Sequence, residues 1–136
     1  MKKFLSTRTS DSALSFALLL LRIGAGSLLM INHGLSKLTH FAQSAHKFGD
    51  PFGIGSTTSY SLLVFAEFFC TAFIILGLFT RFACIPLVIA MAVALFWAHG
   101  GDFYGKGELA GLFLTCFVVL LITGPGKISV DRMIGK

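Results

Sequence analysis

The sequence predicts an all-α membrane protein: a bundle of four transmembrane helices with a short interfacial helix in the first outer loop. Three observations predict it. Hydrophobic residues make up 55% of the 136 residues and charged residues only 12%, about half the quarter usual in soluble domains. The mean hydropathy is +0.85. Four stretches, 12–33, 57–79, 82–99 and 107–123, each supply the roughly 20 mostly apolar residues that a bilayer crossing requires. This composition excludes intrinsic disorder, which needs low hydrophobicity. The net charge of +5 is spread thinly, and the aromatic residues sit inside the apolar runs rather than among clustered cations. The lipid bilayer is therefore an expected partner and nucleic acid is not. No internal repeat or low-complexity tract divides residues 1–136, which read as a single transmembrane domain.

The first span carries Arg22 in its middle, so its insertion needs an energy check. Ten strong inserters (Leu14, Phe16, Leu18, Leu19, Leu20, Leu21, Ile23, Leu28, Leu29 and Ile31) together supply roughly −3 to −6 kcal/mol on an insertion scale. One central Arg opposes them with about +2.5 to +3.5 kcal/mol, and the span inserts. Basic residues precede it, as they precede a signal peptide. Its apolar stretch is too long for one, however, and has no small-x-small cleavage site before Asn32-His33-Gly34, so it is expected to stay in the mature protein.

The remaining elements follow in order. The first connection, Gly34–Thr57, holds Leu35, Leu38, Phe41, Ala42, Ala45 and Phe48 at helical spacing opposite Lys37, His40, Gln43, Ser44 and Lys47. That pattern predicts a short helix in the outer interface, ended by Gly49-Asp50-Pro51. Spans two and three are joined by Thr80-Arg81 alone, a tight antiparallel hairpin with Pro86 in the first turns of the third span, where proline does least harm. The third connection, Gly100–Lys106, is short and glycine-rich. Ala90, Ala94 and Ala98, and the Gly107/Gly111 pair, suit close helix approach.

Lys and Arg in the flanks orient the bundle. One side carries seven (Lys2, Lys3, Arg8, Arg81, Lys127, Arg132 and Lys136) and the other three (Lys37, Lys47 and Lys106). Both termini are expected in the cytoplasm.

Charges inside a bilayer are costly and mark functional sites by default. Arg22 and Glu67 fall at similar depth by residue count, and a buried Arg22–Glu67 ion pair is the economical arrangement. Such a pair either pins two helices together or forms the floor of a polar cavity. A second group gathers at the outer ends. Arg22, Gly26, Leu29, His33 and Lys37 recur at spacings of 4, 3, 4 and 4, one stripe of a helix. His33 ends span one, His99 ends span three and Glu108 begins span four, with Trp97, Asp102 and Tyr104 nearby. The cluster His33, Lys37, His99 and Glu108 could bind a metal, an anion or a quinone head group. It equally fits ordinary interfacial residues, since His, Trp, Tyr and Lys favour that depth.

Other chemistries find less support. A bis-His haem wants its ligands deeper, and zinc needs three or four convergent ligands, so no metal is expected. Cys70, Cys84 and Cys116 are odd in number, dispersed and without a C-x-x-C, which reads as packing rather than disulfide exchange. Nucleophile-elbow, phosphate-loop and dinucleotide fingerprints do not occur.

Five pieces of the chain, in order, resemble one family. Leu21-Arg22-Ile23-Gly24-Ala25-Gly26 leads to His33-Gly34-Leu35-Ser36-Lys37-Leu38; Ala66-Glu67 is followed by Leu76-Gly77-Leu78-Phe79-Thr80-Arg81; then come His99-Gly100, Gly107-Glu108-Leu109-Ala110, and Gly124-Pro125-Gly126 with Ser129-Val130-Asp131. This pattern, over about 14–131, resembles the DoxX family. The resemblance implies a four-helix inner-membrane protein of bacteria or archaea. The family takes its name from the small subunit of a thiosulfate:quinone oxidoreductase, and other members are linked to oxidoreductase activity or to quinone and catechol stress. It carries over Arg22, His33, Lys37, Glu67 and Arg81, and also His99 and Glu108.

The expected function is a membrane subunit of a quinone-linked oxidoreductase. His33, Lys37, Arg22 and Glu67 would hold the substrate, His99 and Glu108 would move protons, and a soluble redox protein or second oxidoreductase subunit would be the partner. One alternative is a non-catalytic scaffold for such a partner. Another is a small-solute or proton pathway, disfavoured by the few polar residues of the inner halves, mainly Thr71, Thr115 and Thr123.

Overall fold

A computed structural model describes residues 2–135. Three helices are long and apolar enough to cross a membrane: α1 (Asp11–Thr39), α3 (Ser56–Leu76) and α4 (Thr80–Ala98). The apolar α5 (Glu108–Thr123) is shorter. A one-turn α2 (Phe41–Ser44) and a short α6 (Val130–Gly135) complete the described residues. The long helices pack in a closed ring, α1 on α3, α3 on α4, α4 on α5 and α5 on α1. Leu18, Leu29, Cys70, Ile74, Cys84, Leu87, Met91, Phe113, Phe117 and Leu120 fill the centre. Outward-facing positions are apolar too, with Leu20, Phe82 and Ile122 each more than 60% exposed. A helix that is hydrophobic all round belongs in lipid, so the fold is a helical membrane bundle.

Three boundaries differ from the sequence expectation. Span one does not stop at His33; α1 continues to Thr39, because no helix breaker follows Gly34. Only α2 and a 3-10 turn (Ala45–Lys47) remain of the expected interfacial helix. Instead of lying flat, this segment is held on α3. Phe41 and Phe48 flank the ring of Tyr60, at 5.2 and 5.4 Å, and the Tyr60 hydroxyl donates to the Lys37 carbonyl at 2.9 Å. The hairpin turn is Gly77-Leu78-Phe79 rather than Thr80-Arg81, which begin α4.

That turn is built by backbone chemistry. Gly77 ends α3 at φ 73°, the left-handed conformation glycine adopts freely. The N–H of Leu78 returns to the Phe73 carbonyl at 2.8 Å, a Schellman closure. Asp131 then caps α4 from outside. Its carboxylate accepts from the N–H groups of Phe79 at 2.7 Å and Thr80 at 2.9 Å, placing an anion at the positive end of a helix. At the opposite end, Asp50 accepts from Ile54 N–H at 2.9 Å, Gly55 N–H at 2.8 Å and the Ser59 hydroxyl at 3.0 Å. These donors, that of Gly55 first, hold the Asp50 carboxyl below the usual carboxylate range.

Candidate functional site

Arg22 and Glu67 do not meet. Each long side chain on a helix leans toward that helix's N-terminus, and α1 and α3 run antiparallel. Arg22 therefore reaches toward the end of the bundle that carries the termini, and Glu67 toward the end that carries the long loop. The expected Arg22–Glu67 ion pair is replaced by two separate arrangements.

At the termini end, Arg22 is 2% exposed and its guanidinium satisfies four carbonyls. Nε donates to Ile74 at 3.0 Å and one terminal nitrogen to Ile75 at 3.0 Å. The other donates to Pro125 at 2.8 Å and Ile128 at 2.7 Å. Ile74 and Ile75 lie in the last turn of α3, whose carbonyls have no partner within the helix and whose negative dipole end favours a cation. Pro125 and Ile128 belong to the segment after α5. Arg22 thus ties three parts of the chain together. It lies outside the polar cavity, and its expected role in substrate binding is withdrawn.

At the loop end, Lys37 Nζ lies 2.8 Å from Oε2 of Glu67. Glu67 is only 5% exposed. The ammonium stands at contact distance but off the direction of a hydrogen bond, so this buried oxygen is charge-paired and still has no hydrogen-bond donor. Lys37–Glu67 and the exposed Lys127–Asp11 contact are the two ion pairs among the described residues. The Lys37–Glu67 pair lines a cavity of about 230 Å³ with His33, His99 and Lys106 as its other polar groups. Leu29, Met91, Ala94, Leu109, Ala110 and Phe113 complete the wall. His33 stands edge-on to Phe113, ring centroids 6.1 Å apart.

The helices change pitch where they border this cavity. Each of the three long helices contains one π-helical turn: Met30–Gly34 in α1, Phe65–Cys70 in α3 and Ala94–Ala98 in α4. These turns hold His33, hold Glu67, and immediately precede His99. A π turn inserts one residue and redirects the side chains beyond it, and such turns cluster at functional sites. Two of them touch directly. A Cβ on Gly34 would stand 2.5 Å from the Glu67 carbonyl oxygen and 2.8 Å from its carbon, so only glycine allows the two backbones to approach. Gly34→Ala is expected to lose about 1–3 kcal/mol to overpacking, read as a lower unfolding midpoint in detergent. An unchanged midpoint would show that the helices separate at no cost.

The structure brings together His33, Lys37, Glu67 and His99, and leaves Glu108 out. Leu109, Ala110 and Phe113 present the cavity-facing side of α5, and at about 100° per residue Glu108 falls on the far side from Ala110. It is solvent-exposed in the first turn of α5, where an acid favours the helix dipole, so its expected proton-transfer role has no site to act on. Lys106 was counted in the sequence only as a loop charge and proves to line the cavity. Its signal was its position two residues before α5. Among the described residues no group of three metal-ligating side chains forms, and Cys70, Cys84 and Cys116 are unbridged.

Two lysines and two histidines against one carboxylate give the cavity a surplus of basic groups and N–H donors. It suits an anion or the electron-rich oxygens of a neutral ring. Its volume is below the roughly 300–1,000 Å³ of drug-sized pockets, so it fits a head group rather than a large ligand.

Comparison with known proteins adds the following. The sequence profile of the family described as DoxX matches residues 17–100. An uncharacterised Haemophilus influenzae protein is 32% identical over 117 residues, 79% of this chain and 84% of that protein. An uncharacterised membrane protein of Mycobacterium tuberculosis is 29% identical over 124 residues, covering 80% of this chain and 76% of its own. A second uncharacterised Haemophilus influenzae protein is 27% identical over 101 residues, covering 71% and 67%. No solved structure matches.

Proposed function

We propose that this chain, which belongs to the DoxX family of membrane proteins, is a membrane subunit of a quinone-linked oxidoreductase whose loop-end cavity receives the quinone head group. The observation that carries this reading is the cavity itself. Residues from α1, α3, α4 and the loop before α5 place Lys37, Lys106, His33 and His99 around a buried carboxylate in an otherwise apolar wall. The carbonyl oxygens of a quinone gain electron density as it is reduced, and cationic donors in a desolvated pocket favour that charge. Quinone reduction takes up protons in number equal to the electrons. His99, at the cavity rim, and Glu67 inside it are the groups placed to pass them on. The electrons would come from a soluble redox protein or a second subunit docking at the loop end.

The seven-to-three distribution of basic flanking residues supports an orientation with both termini in the cytoplasm of a bacterium, and so a cavity opening toward the outer face of the inner membrane. A solute or proton path through the bundle draws no support. Beneath the cavity the centre is filled by Phe113, Phe117 and Leu120, none more than 5% exposed.

The test is to purify the protein in mild detergent and assay the extract for bound quinone by mass spectrometry. Near-stoichiometric quinone is expected, and His99→Ala, at an exposed position, should lose it while leaving the unfolding curve unchanged. A folded wild type that carries no quinone and binds none when it is added would point to the scaffold alternative instead.

A further inference from the structure

The polar cavity has an apolar neighbour across Leu109 and Phe113. A second cavity of about 470 Å³ runs between α1 and α5 and shares Leu109 and Phe113 with it. The rest of its lining is apolar, and small residues hollow it out: Ala17, Gly24 and Ala25 lie on the α1 side. A Cβ placed on Gly24 would meet nothing within 4 Å. Leu20 and Leu28, on the same side, are 63% and 55% exposed, so the groove opens sideways, toward lipid. The other large apolar cavity, between α3 and α4 around Phe65, Ile85 and Pro86, shares no residue with the polar one.

We propose that the α1–α5 groove holds the apolar chain of the same molecule whose head occupies the polar cavity, and that this amphiphile enters laterally from the bilayer between α1 and α5. The inference rests on the quinone reading above for the identity of the head, and on the two cavities adjoining at Leu109 and Phe113 for the placement of the chain. A long-chain quinone has the required form: a ring bearing oxygens, joined to a flexible hydrocarbon chain. Transfer of that chain from lipid into the groove gains little hydrophobic free energy. Its contribution is to direct the head toward His33 and the Lys37–Glu67 pair, and steric fit decides which chains are accepted.

Gly24→Leu projects a branched side chain into the groove from a position where a Cβ meets nothing within 4 Å, and Gly24→Ala adds only a methyl group. Two probes are titrated into the detergent-solubilised wild type and both variants by calorimetry: a tailless benzoquinone and the same ring with a decyl chain. Gly24→Leu should weaken the decyl probe about tenfold, the effect of a 1.4 kcal/mol clash, and change the tailless probe less than about twofold. Gly24→Ala should fold at least as well as wild type, since Ala is the better helix former, and confirms that position 24 accepts a side chain. A second measurement uses a decyl probe with a photoreactive diazirine at the chain end, followed by peptide mapping. Labels on α1 and α5 near Gly24 and Cys116 are expected.

Equal weakening of both probes by Gly24→Leu, or none, overturns the groove assignment, as do labels around Phe65 and Ile85. If the tailless probe fails to bind the wild type while the chain still labels α1 and α5, the quinone head is wrong and the groove stands. If the tailless probe binds and the groove is unlabelled, the groove is wrong and the head stands.

Discussion

Arg22→Ala is expected to lose about 3–5 kcal/mol of stability, because a buried polar group deprived of its partner costs about 1–3 kcal/mol and one guanidinium here serves four carbonyls. The Ile74 carbonyl retains the Gly77 N–H at 3.0 Å, so the loss stays below a simple sum. The damage should concentrate at the termini end, where this fork and the Asp131 contacts with Gly77, Phe79 and Thr80 together hold the segment after α5 to the end of α3. Arg22→Lys separates charge from geometry. An ammonium keeps the favourable charge at the C-terminus of α3 but cannot span Ile74, Ile75, Pro125 and Ile128 together, so it should recover only a minority of the loss. Unfolding in detergent, followed by circular dichroism, measures both variants. Wild-type midpoints for Arg22→Ala would mean that the four carbonyls find other donors and that the latch is dispensable. In the fraction that stays folded, ligand binding should survive, because Arg22 lies outside the cavity.

The spans were legible because hydropathy alone separates four apolar runs, and their polar stripe was legible because His33 and Lys37 share a helix face. His99 followed from the antiparallel topology, which brings the end of α4 to the end of α1 that holds His33. The pairing of charges was not legible in the same way. Counting residues from the span ends placed Arg22 and Glu67 at similar depth, but the Glu67 backbone meets that of Gly34, which stands about 18 Å of helix rise from Arg22. Side-chain direction widens that separation: on antiparallel helices Arg22 reaches down to Ile74, two turns beyond Glu67, while Glu67 turns up to Lys37. The π turns leave no pattern of their own, since nothing in Met30–Gly34 or Phe65–Cys70 distinguishes a π turn from the α-helix on either side. They shift the phase of everything beyond them, so a stripe drawn at 3.6 residues per turn drifts where the site begins. Glu108 failed for a simpler reason: standing at the correct end of the bundle does not decide which face of α5 a residue occupies.

Separate removal of Lys37 and Glu67 should have unequal effects, and the inequality tests whether the pair serves the cavity or the fold. The Glu67 side chain is 6% exposed and that of Lys37 28%. Lys37→Met leaves a carboxylate with no cation beside it in an apolar wall, and should lose about 3–5 kcal/mol, the range for a buried pair stripped of one partner. Glu67→Gln leaves a lysine whose long stem can carry its ammonium out toward the rim, so its loss should be nearer 1 kcal/mol, the scale of a single net hydrogen bond. The double variant Lys37→Met/Glu67→Gln removes both charges and should regain most of the stability lost by Lys37→Met, since apolar replacement of a buried pair is often neutral. A positive coupling energy from this cycle would establish the pair energetically. Binding should not follow stability. Quinone affinity in the double variant should stay at least about tenfold weaker than wild type, the loss of one charged contact of about 1.4 kcal/mol, although the fold has recovered. If affinity returns with stability, the pair only pins α1 to α3, and the remaining groups His33, His99 and Lys106 form the whole of the site.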